Sequence, residues 1–269
     1  MYMVEKALRE DESMLELKGV TIDFGGLRAL DGVDLNICQG EIFGIIGPNG
    51  SGKSTLFNIA TGFLVPRSGQ VAYRGRSITG WKPHRIAALG IGRVFQSNSL
   101  FPNFSVKENL IRSGFMRLTT GFLGSFFNTR RFRSENRELE EKAVELSRFV
   151  GLEERVDTLA KNLPYGEQRR LEIAIALGPD PDLLFLDEPV TGMNPTETAS
   201  VMELIRSIQK GGRTIVIVEH NMRVIMGICS RIAVISFGTK IAEGNPEEIA
   251  HNDKVISVYL GTRKIDAAY

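Results

Sequence analysis

The stretch GPNGSGKST, residues 47–55, decides the fold of this 269-residue chain. It fits the pattern G-x-x-x-x-G-K-[S/T], in which successive backbone N–H groups of a glycine-rich loop wrap a phosphate. The apolar run EIFGIIG (41–47) precedes the loop, and the helical stretch KSTLFNIATGF (53–63) follows it. A buried strand, a tight loop and a helix N-terminus in this order favour an anion, because the helix dipole is positive there. The sequence therefore predicts a nucleotide-binding loop.

The residue types inside this loop suit the chemistry of a phosphate site. The glycines let the backbone approach a ligand closely. Lys53 supplies a positive charge for the β- and γ-phosphate oxygens, and the hydroxyl of Ser54 can ligate Mg²⁺. The predicted nucleotide contacts are Gly47, Pro48, Asn49, Gly50, Ser51, Gly52, Lys53, Ser54 and Thr55.

A second apolar strand ends in two carboxylates, in the stretch LLFLDEP (183–189). Asp187 lies at the carboxyl end of the strand, where α/β proteins place their ligands, and we expect it to hold Mg²⁺. Glu188 is suited to orient and deprotonate the attacking water as a general base. A solvated acidic turn is the alternative interpretation, and the presence of the phosphate loop favours the catalytic one.

Two further polar residues follow apolar strands. His220 lies at the end of TIVIVEHN (214–221) and is one of only three histidines. We interpret it as a sensor of the γ-phosphate, with a purely structural histidine as the alternative. Gln96, in RVFQSNSLF (93–101), precedes a helical region. Its amide can reach Mg²⁺ or the attacking water and report the nucleotide state to the helices.

The remaining pattern predicts an α/β fold with a mostly parallel core. Residues 14–46 have the pattern of strands, and strands alternate with helices again from residue 183 onward. Residues from about 105 to 180 are mostly helical. The clearest helix is SENRELEEKAVELSRFVGL (134–152), with Gly151 as its C-cap. Its apolar face comprises Leu139, Ala143, Leu146 and Val150.

Bulk composition excludes several classes of protein. A net charge of +1 gives no general attraction to nucleic acid or acidic membranes. Cys38 and Cys229 lie far apart without metal-ligand spacing, so we expect two reduced thiols. The N-terminal residues MYMVEKALREDES lack the apolar stretch of a secretory signal. No window approaches the roughly 20 apolar residues that span a bilayer, so a role at a membrane requires a partner there.

These motifs, in this order, resemble those of the ATP-binding cassette (ABC) ATPases, and the resemblance covers residues 14–260. It implies a P-loop NTPase fold of the ABC type with ATP and Mg²⁺ as cofactors. The implied RecA-like core, about 14–96 and 181–260, has an N-terminal antiparallel β part. A helical subdomain, about 97–180, is inserted into that core, and residues 1–13 and 261–269 are terminal extensions.

The resemblance also implies a role for individual residues. The implied catalytic residues are Lys53, Gln96, Glu188 and His220, and the implied Mg²⁺ ligands are Ser54, Gln96 and Asp187. Phe24 falls where the family has an aromatic residue that stacks on adenine. The alternative is that Phe24 belongs to the core, because Val20, Ile22 and Phe24 share one face of a predicted strand.

The segment LPYGEQRR (163–170) aligns with the family signature L-S-G-G-Q, which contacts the γ-phosphate held by the opposite subunit of a dimer. The implied contacts are Gly166 and Glu167. Pro164 and Tyr165 stand in place of a serine and a glycine, and Glu167 replaces the glutamine. The N-terminal dipole of the following helix still favours an anion, so we expect a weaker contact of the same kind.

The particular residues within these motifs resemble those of the ATP-binding subunits of branched-chain amino-acid importers. The stretches LPYGEQRRLEIA, DEPVTGMNP and FGGLRALDGVDL carry this resemblance, with Asn194 where an aspartate is usual. It implies pairing with a second, non-identical ABC ATPase subunit, or with itself as a homodimer. Two integral-membrane permeases and, indirectly, an extracytoplasmic amino-acid-binding protein complete the implied assembly. The implied location is the cytoplasmic face of the inner (plasma) membrane, with no nucleic-acid partner.

Two alternatives remain. The first keeps the ATPase and changes the cargo to urea, another amide or exported lipopolysaccharide; the signature wording argues against lipopolysaccharide and less firmly against urea. The second is a soluble ABC ATPase of nucleic-acid metabolism or translation. Such proteins usually carry tandem cassettes, long coiled coils or a basic face, and this sequence has none of these. A GTPase is disfavoured because the sequence has no N-K-x-D motif.

Residues 113–137 mix phenylalanines with arginines. One interpretation is a docking element that meets a permease loop and anionic lipid headgroups. The other is an insertion whose phenylalanines fill the helical subdomain while its arginines pair with Glu135, Glu138 and Glu141. The residues concerned are Phe115, Phe122, Phe126, Phe127, Arg130, Arg131, Arg133 and Arg137.

Overall fold

The computed structural model describes residues 13–94, 100–117 and 130–266, without the side chains of 116–117, 130–132 and 260–266. The chain forms two compact units. Among the described residues, the first comprises 13–86 and 209–266, and the second comprises 87–94, 100–117 and 130–208.

The first unit contains an antiparallel sheet with the strand order β2-β1-β4-β5. Its strands are β1 (Ser13–Phe24), β2 (Leu27–Cys38), β4 (Ser68–Tyr73) and β5 (Arg76–Ser77). Leu17 pairs with Leu35 and Val20 with Val33, and all four side chains are buried. Alternation of buried and exposed positions along β1 and β2 matches a sheet with one face on the core.

The first unit also contains β3 (Ile42–Ile46), β8 (Thr214–Val218), β9 (Arg231–Ser236) and β10 (Thr239–Gly244). Strand β3 runs parallel to β8 on one side and to β9 on the other, and β10 is antiparallel to β9. Every residue of β3 and β8 is buried, as expected for continuous apolar runs in a parallel sheet. The helices of this unit are α1 (Lys53–Ala60), α2 (Pro83–Ala87), α7 (Met222–Ile228), α8 (Pro246–Ala250) and α9 (Asp253–Asp266).

The second unit pairs two parallel strands, β6 (Ile91–Val94) and β7 (Leu183–Asp187). Its helices are α3 (Val106–Ser113), α4 (Arg130–Phe149), α5 (Tyr165–Leu177) and α6 (Pro195–Lys210). Ser105 opens α3 with a capping box, since its hydroxyl accepts from the N–H of Glu108 while the Glu108 carboxylate accepts from the N–H of Ser105. Three short 3₁₀ helices, Gly114–Arg117, Glu153–Arg155 and Ala160–Asn162, complete the elements described here.

These elements confirm the predicted fold class, an α/β ABC-type P-loop fold with an antiparallel part beside parallel strands. The predicted amphipathic helix is present as α4, with Leu139, Ala143 and Val150 buried along its face or just after it. Gly151 follows with a φ of +68°, which fits its predicted role as the C-cap. The subdomain bounds predicted from the sequence stay a prediction. Within the described ranges, no helix has both the length and the hydropathy to cross a membrane.

Candidate functional site

The phosphate loop lies between β3 and α1 in the first unit, and two of its glycines are sterically required. A Cβ on Gly47 would lie 2.0 Å from the carbonyl oxygen of Ile235, and one on Gly52 would lie 2.7 Å from that of Ala29. Gly52 is the N-cap of α1 and has a φ of +108°, a backbone conformation that residues with a side chain rarely adopt. The loop is therefore packed closely against the neighbouring backbone, and larger residues at either position would displace it.

Lys53 begins α1 and folds back over the loop. Its side chain is 8% exposed, and its Nζ donates to the carbonyl oxygens of Gly47 at 2.8 Å and Pro48 at 2.9 Å. The first turn of α1 contains no acidic residue, so nothing there opposes the positive end of the helix dipole. A buried ammonium group beside a helix N-terminus is the arrangement that binds a phosphate.

An open cleft of about 380 Å³ adjoins the phosphate loop within the first unit. Its volume falls in the range of small-ligand sites. The lining residues outside the loop itself are Phe24, Leu27, Arg28, Ala29, Phe237 and Gly238. Phe24 and Phe237 are 47% and 94% exposed, so two aromatic faces are available to a base.

Phe24 therefore does not belong to the core, and the alternative based on strand alternation is wrong. Val20 and Ile22 are buried as the alternation requires, whereas Phe24 is the last residue of β1 and lies at the turn into β2. The strand extends past the buried face at this end, so the side chain of Phe24 is accessible. The assignment of Phe24 to adenine stays a prediction.

In the second unit, Asp187 ends β7 and is 6% exposed. Its Oδ2 lies 3.6 Å from a terminal nitrogen of Arg93, on the adjacent strand β6. Burial lowers the pKa of the Arg93 guanidinium, and the nearby Asp187 charge opposes that shift. Glu188 follows with a φ of +46°, which is uncommon for any residue except glycine. The surrounding structure must hold Glu188 in this conformation.

Arg169, in the first turns of α5, binds the backbone on both sides of Glu188. One terminal nitrogen donates to the carbonyl oxygens of Asp187 at 2.7 Å and Glu188 at 2.8 Å, and Nε donates to that of Pro189 at 3.2 Å. The other terminal nitrogen pairs with Oε2 of Glu172 at 2.6 Å, and both side chains of this pair are nearly inaccessible. We call Arg169 and Glu172 together the buried clamp.

The signature-like segment forms the start of α5, with Pro164 as its N-cap. No side chain caps the helix, but the N–H groups of Glu167 and Gln168 donate to the carbonyl oxygen of Pro164, so the earlier N–H groups of Tyr165 and Gly166 are the ones that could meet a ligand. Gly166 is buried, and a Cβ there would lie 3.0 Å from a carboxylate oxygen of Glu197. The carboxylate of Glu167 lies 3.6 Å from Nε of Arg155 in the same unit, which reduces the negative charge at this helix end.

His220 follows β8 in the first unit, with a side chain that is 58% exposed. The fully buried Glu219 accepts hydrogen bonds from the N–H groups of His220 at 2.9 Å and Asn221 at 3.0 Å. The Glu219 carboxylate also lies 3.7 Å from Nδ1 of His220. A buried anion thus fixes the backbone that carries the exposed imidazole. Gln96 lies outside the described residues.

The predicted Mg²⁺ ligands divide between the units. Ser54 exposes its hydroxyl in the first turn of α1, and Asp187 presents a carboxylate at the end of β7. Across the described ranges, no group of three or more His, Cys, Asp or Glu side chains could hold a metal by itself. A hydroxyl, a single carboxylate and substrate phosphates form the kind of incomplete protein shell that Mg²⁺ uses, so the donor chemistry fits.

The part of residues 113–137 that the structure describes bears on both interpretations of this stretch. Arg137 pairs with Glu141 at 2.9 Å along α4, as the structural interpretation expects. Phe115 is 45% exposed and does not fill the interior. The structures of residues 118–129 and the side chains of Arg130 and Arg131 are outside the described residues.

Sequence reasoning missed several residues of these sites. Phe237 was not identified because it is distant in sequence from the phosphate loop. It directly precedes Gly238, and a glycine is a typical signal of a turn. Arg169 and Glu219 were missed because charged residues usually lie on the surface, whereas both of these residues are buried. Tyr259 of α9 is a further case: burial raises the pKa of its phenol, which lies beside the backbone of Gly47.

Comparisons with known proteins agree with this geometry. The sequence model of the ABC transporter family matches residues 30–191, and that of the branched-chain amino acid ATP-binding cassette transporter matches residues 239–265. The chain is 41% identical to the high-affinity branched-chain amino acid transport ATP-binding protein LivG of Salmonella typhimurium, over 93% of this chain and 98% of that protein. It is also 41% identical to BraF of Pseudomonas aeruginosa, over 92% and 98%.

Solved structures show the same fold. The ADP conformation of MJ1267, an ATP-binding cassette of an ABC transporter, matches with a TM-score of 0.81 and 30% identity, over 93% of this chain and 99% of that one. A dimeric post-hydrolysis state of the cassette MJ0796, bound to ADP and Pi, matches with a TM-score of 0.72 and 27% identity, over 87% and 99%.

Proposed function

Because this chain belongs to the ATP-binding proteins of the ABC transporter family, we propose that it hydrolyses ATP to drive uptake of branched-chain amino acids through partner permeases. The observation that carries the ATPase activity is the phosphate loop with the buried Lys53 ammonium at the start of α1. The cargo rests on LivG and BraF, whose names state branched-chain amino acid transport.

The residues of the first unit bind the nucleotide. Backbone N–H groups from Gly50 to Thr55 surround the β-phosphate, and Lys53 exchanges its carbonyl partners for phosphate oxygens. Phe24 stacks on the adenine ring from the adjoining cleft. His220 senses the γ-phosphate from the end of β8.

Predicted site residues of both units serve the reaction. Ser54 of the loop and Asp187 would hold Mg²⁺, which when bound neutralises charge on the β- and γ-phosphate oxygens. Glu188 accepts a proton from water as that water attacks the γ-phosphate in line with the leaving oxygen. Gln96 is proposed to contact Mg²⁺ or the attacking water, on the resemblance alone.

The signature-like segment of one subunit is proposed to close over ATP held by another subunit, with contacts from Gly166 and Glu167. We propose a second, non-identical ABC ATPase as that partner, with a homodimer as the alternative. Two integral-membrane permeases would hold the pair at the cytoplasmic face of the membrane, below an extracytoplasmic binding protein.

Cargo is tested in cells from which this chain has been deleted. We expect uptake of radiolabelled leucine, isoleucine and valine to fall, and to be restored by the wild-type chain and not by Lys53→Ala. Urea uptake is the matched control. A loss of urea uptake with normal leucine uptake would contradict the proposed cargo in favour of the first alternative.

Pairing is tested with purified Glu188→Gln protein, which should bind ATP without hydrolysing it. Its molar mass is measured with and without Mg-ATP. A dimer that forms only with Mg-ATP means that the chain pairs with itself. A monomer that still binds ATP means that closure needs the non-identical partner.

A further inference from the structure

Tyr165 connects the signature-like segment to the turn after β7. Its phenol hydroxyl donates to the backbone carbonyl of Thr191 at 3.1 Å. The edge of its ring lies 3.7 Å from the position that a Cβ on Gly192 would take. Tyr165 is 52% exposed, so burial in the core does not account for its position. Tyr165, Thr191 and Gly192 all belong to the second unit.

Thr191 continues the connection to the carboxylate of Glu188. Its hydroxyl donates to Oε2 of Glu188 at 3.2 Å, and its N–H approaches the carbonyl oxygen of Glu188 at 3.4 Å. Two hydrogen bonds in series therefore join the phenol of Tyr165 to the Glu188 side chain. We call Tyr165, Thr191 and Glu188 the tyrosine relay.

We propose that Tyr165 is a positioning residue for ATP hydrolysis, which holds the Glu188 carboxylate through Thr191. The inference rests on the proposed function, in which Glu188 is the general base. The backbone of Glu188 is in an uncommon conformation, and the buried clamp binds its carbonyl oxygen. The Thr191 hydroxyl donates to the carboxylate itself and thereby favours one orientation of the side chain.

This arrangement gives a role to Tyr165, which occupies the position where the family signature has a glycine. A glycine has no side chain with which to reach the Thr191 carbonyl, whereas a phenol spans the distance. Because Tyr165 is the first residue of α5, any shift of that helix end on an anion moves the phenol. The relay then changes the position of Glu188 in the same subunit.

The test uses two variants that each remove one hydroxyl, Tyr165→Phe and Thr191→Val, in the transporter or in the purified chain, whichever hydrolyses ATP. One lost hydrogen bond of this kind corresponds to a roughly two- to tenfold lower kcat. KM for ATP should stay unchanged, because neither hydroxyl belongs to a predicted nucleotide contact. The double variant should lose no more than the more impaired single variant, since both hydroxyls act in one series.

Two controls separate positioning from folding. Thr191→Ser keeps the hydroxyl and should retain more activity than Thr191→Val. Thr196→Val removes an exposed hydroxyl from α6, five residues further along the chain, and should behave as wild type. Thermal unfolding of all variants checks that the fold is intact.

The outcomes distinguish this inference from the proposed function. A wild-type protein that binds ATP but never hydrolyses it would overturn the proposed function, and the inference with it. Wild-type hydrolysis with an unchanged kcat in both single variants would overturn the inference alone. Independent, multiplying losses in the double variant, or a rise in KM in place of a fall in kcat, would also overturn it.

Discussion

Substitutions in the buried clamp separate the contribution of Arg169 to folding from its contribution to catalysis. Its guanidinium is 7% exposed and its partner carboxylate 5%, with 2.6 Å between them. The Arg169→Met substitution keeps a side chain of similar length but leaves Glu172 charged and buried. It also removes the donor from the carbonyl oxygens of Asp187, Glu188 and Pro189.

The expected cost follows from burial. Breaking a buried ion pair on one side lowers the free energy of unfolding by about 3–5 kcal/mol, since an uncompensated charge remains inside. For a chain of this size the melting temperature should fall by roughly 10 °C. An exposed arginine offers the matched control: Arg148→Met on α4 should change stability by less than about 0.5 kcal/mol.

The double variant Arg169→Met/Glu172→Leu replaces both charges with apolar groups. We expect it to be about 2 kcal/mol more stable than Arg169→Met, because no charge stays buried unpaired. Its kcat should remain roughly 100-fold below wild type, since the backbone on either side of Glu188 has lost its donor and a shift of about 1 Å suffices for that loss. Denaturant unfolding and steady-state ATP hydrolysis are the two assays.

Two results would refute this reasoning. If Arg169→Met unfolds at the same denaturant concentration as Arg148→Met, the pair contributes nothing to folding. If the double variant recovers the wild-type kcat, the bonds to the three carbonyl oxygens do not position Glu188.

Three further predictions follow from the first unit. Phe24→Ala should weaken ATP binding about tenfold through lost stacking on the base, while Phe63→Ala, equally exposed but outside the cleft, should leave the Kd unchanged; equal effects would contradict the adenine assignment. Gly47→Ala should lose more than about 4 kcal/mol of stability through overlap with a backbone oxygen, and Gly50→Ala only about 1–2 kcal/mol through its φ of +76°, as denaturant unfolding would measure. Burial raises the pKa of the Cys229 thiol to about 12, so this thiol stays protonated at pH 8 and iodoacetamide should modify only the other cysteine until the protein is unfolded; two modified thiols in the folded protein would contradict this.

Short-range patterns carried most of what the sequence predicted. The phosphate loop needs its strand, glycines and helix within about twenty consecutive residues, so one local motif defines it. The apolar run of β7 and its two carboxylates are likewise contiguous. Alternation along β1 was a weaker guide, because it gives the side of the strand on which Phe24 lies but not the point at which the buried face ends.

The contacts that hold Glu188 are of another kind. Arg169 reaches backbone oxygens 18 to 20 residues away, and Tyr165 reaches one 26 residues away. The acceptors are carbonyl groups, which every residue has, so no residue type in the turn indicates that it will be bound. Helical periodicity gives the faces of α5 but does not identify the turn against which its first residues pack.

The same segment therefore differs from the family signature in two opposite ways. Pro164 lacks the hydroxyl and the backbone N–H with which a serine would serve a phosphate on another subunit, and Tyr165 replaces a glycine. Tyr165 adds a hydrogen bond to the turn that carries the proposed catalytic carboxylate of its own subunit, where Arg169 also binds the backbone. A carboxylate on a backbone with positive φ needs such external support, since its own conformational preference opposes that position. On this argument the departures do not predict an inactive subunit: weaker contact across the dimer is accompanied by firmer placement of Glu188, and the loss of either hydrogen-bond donor should reduce kcat before it reduces ATP affinity.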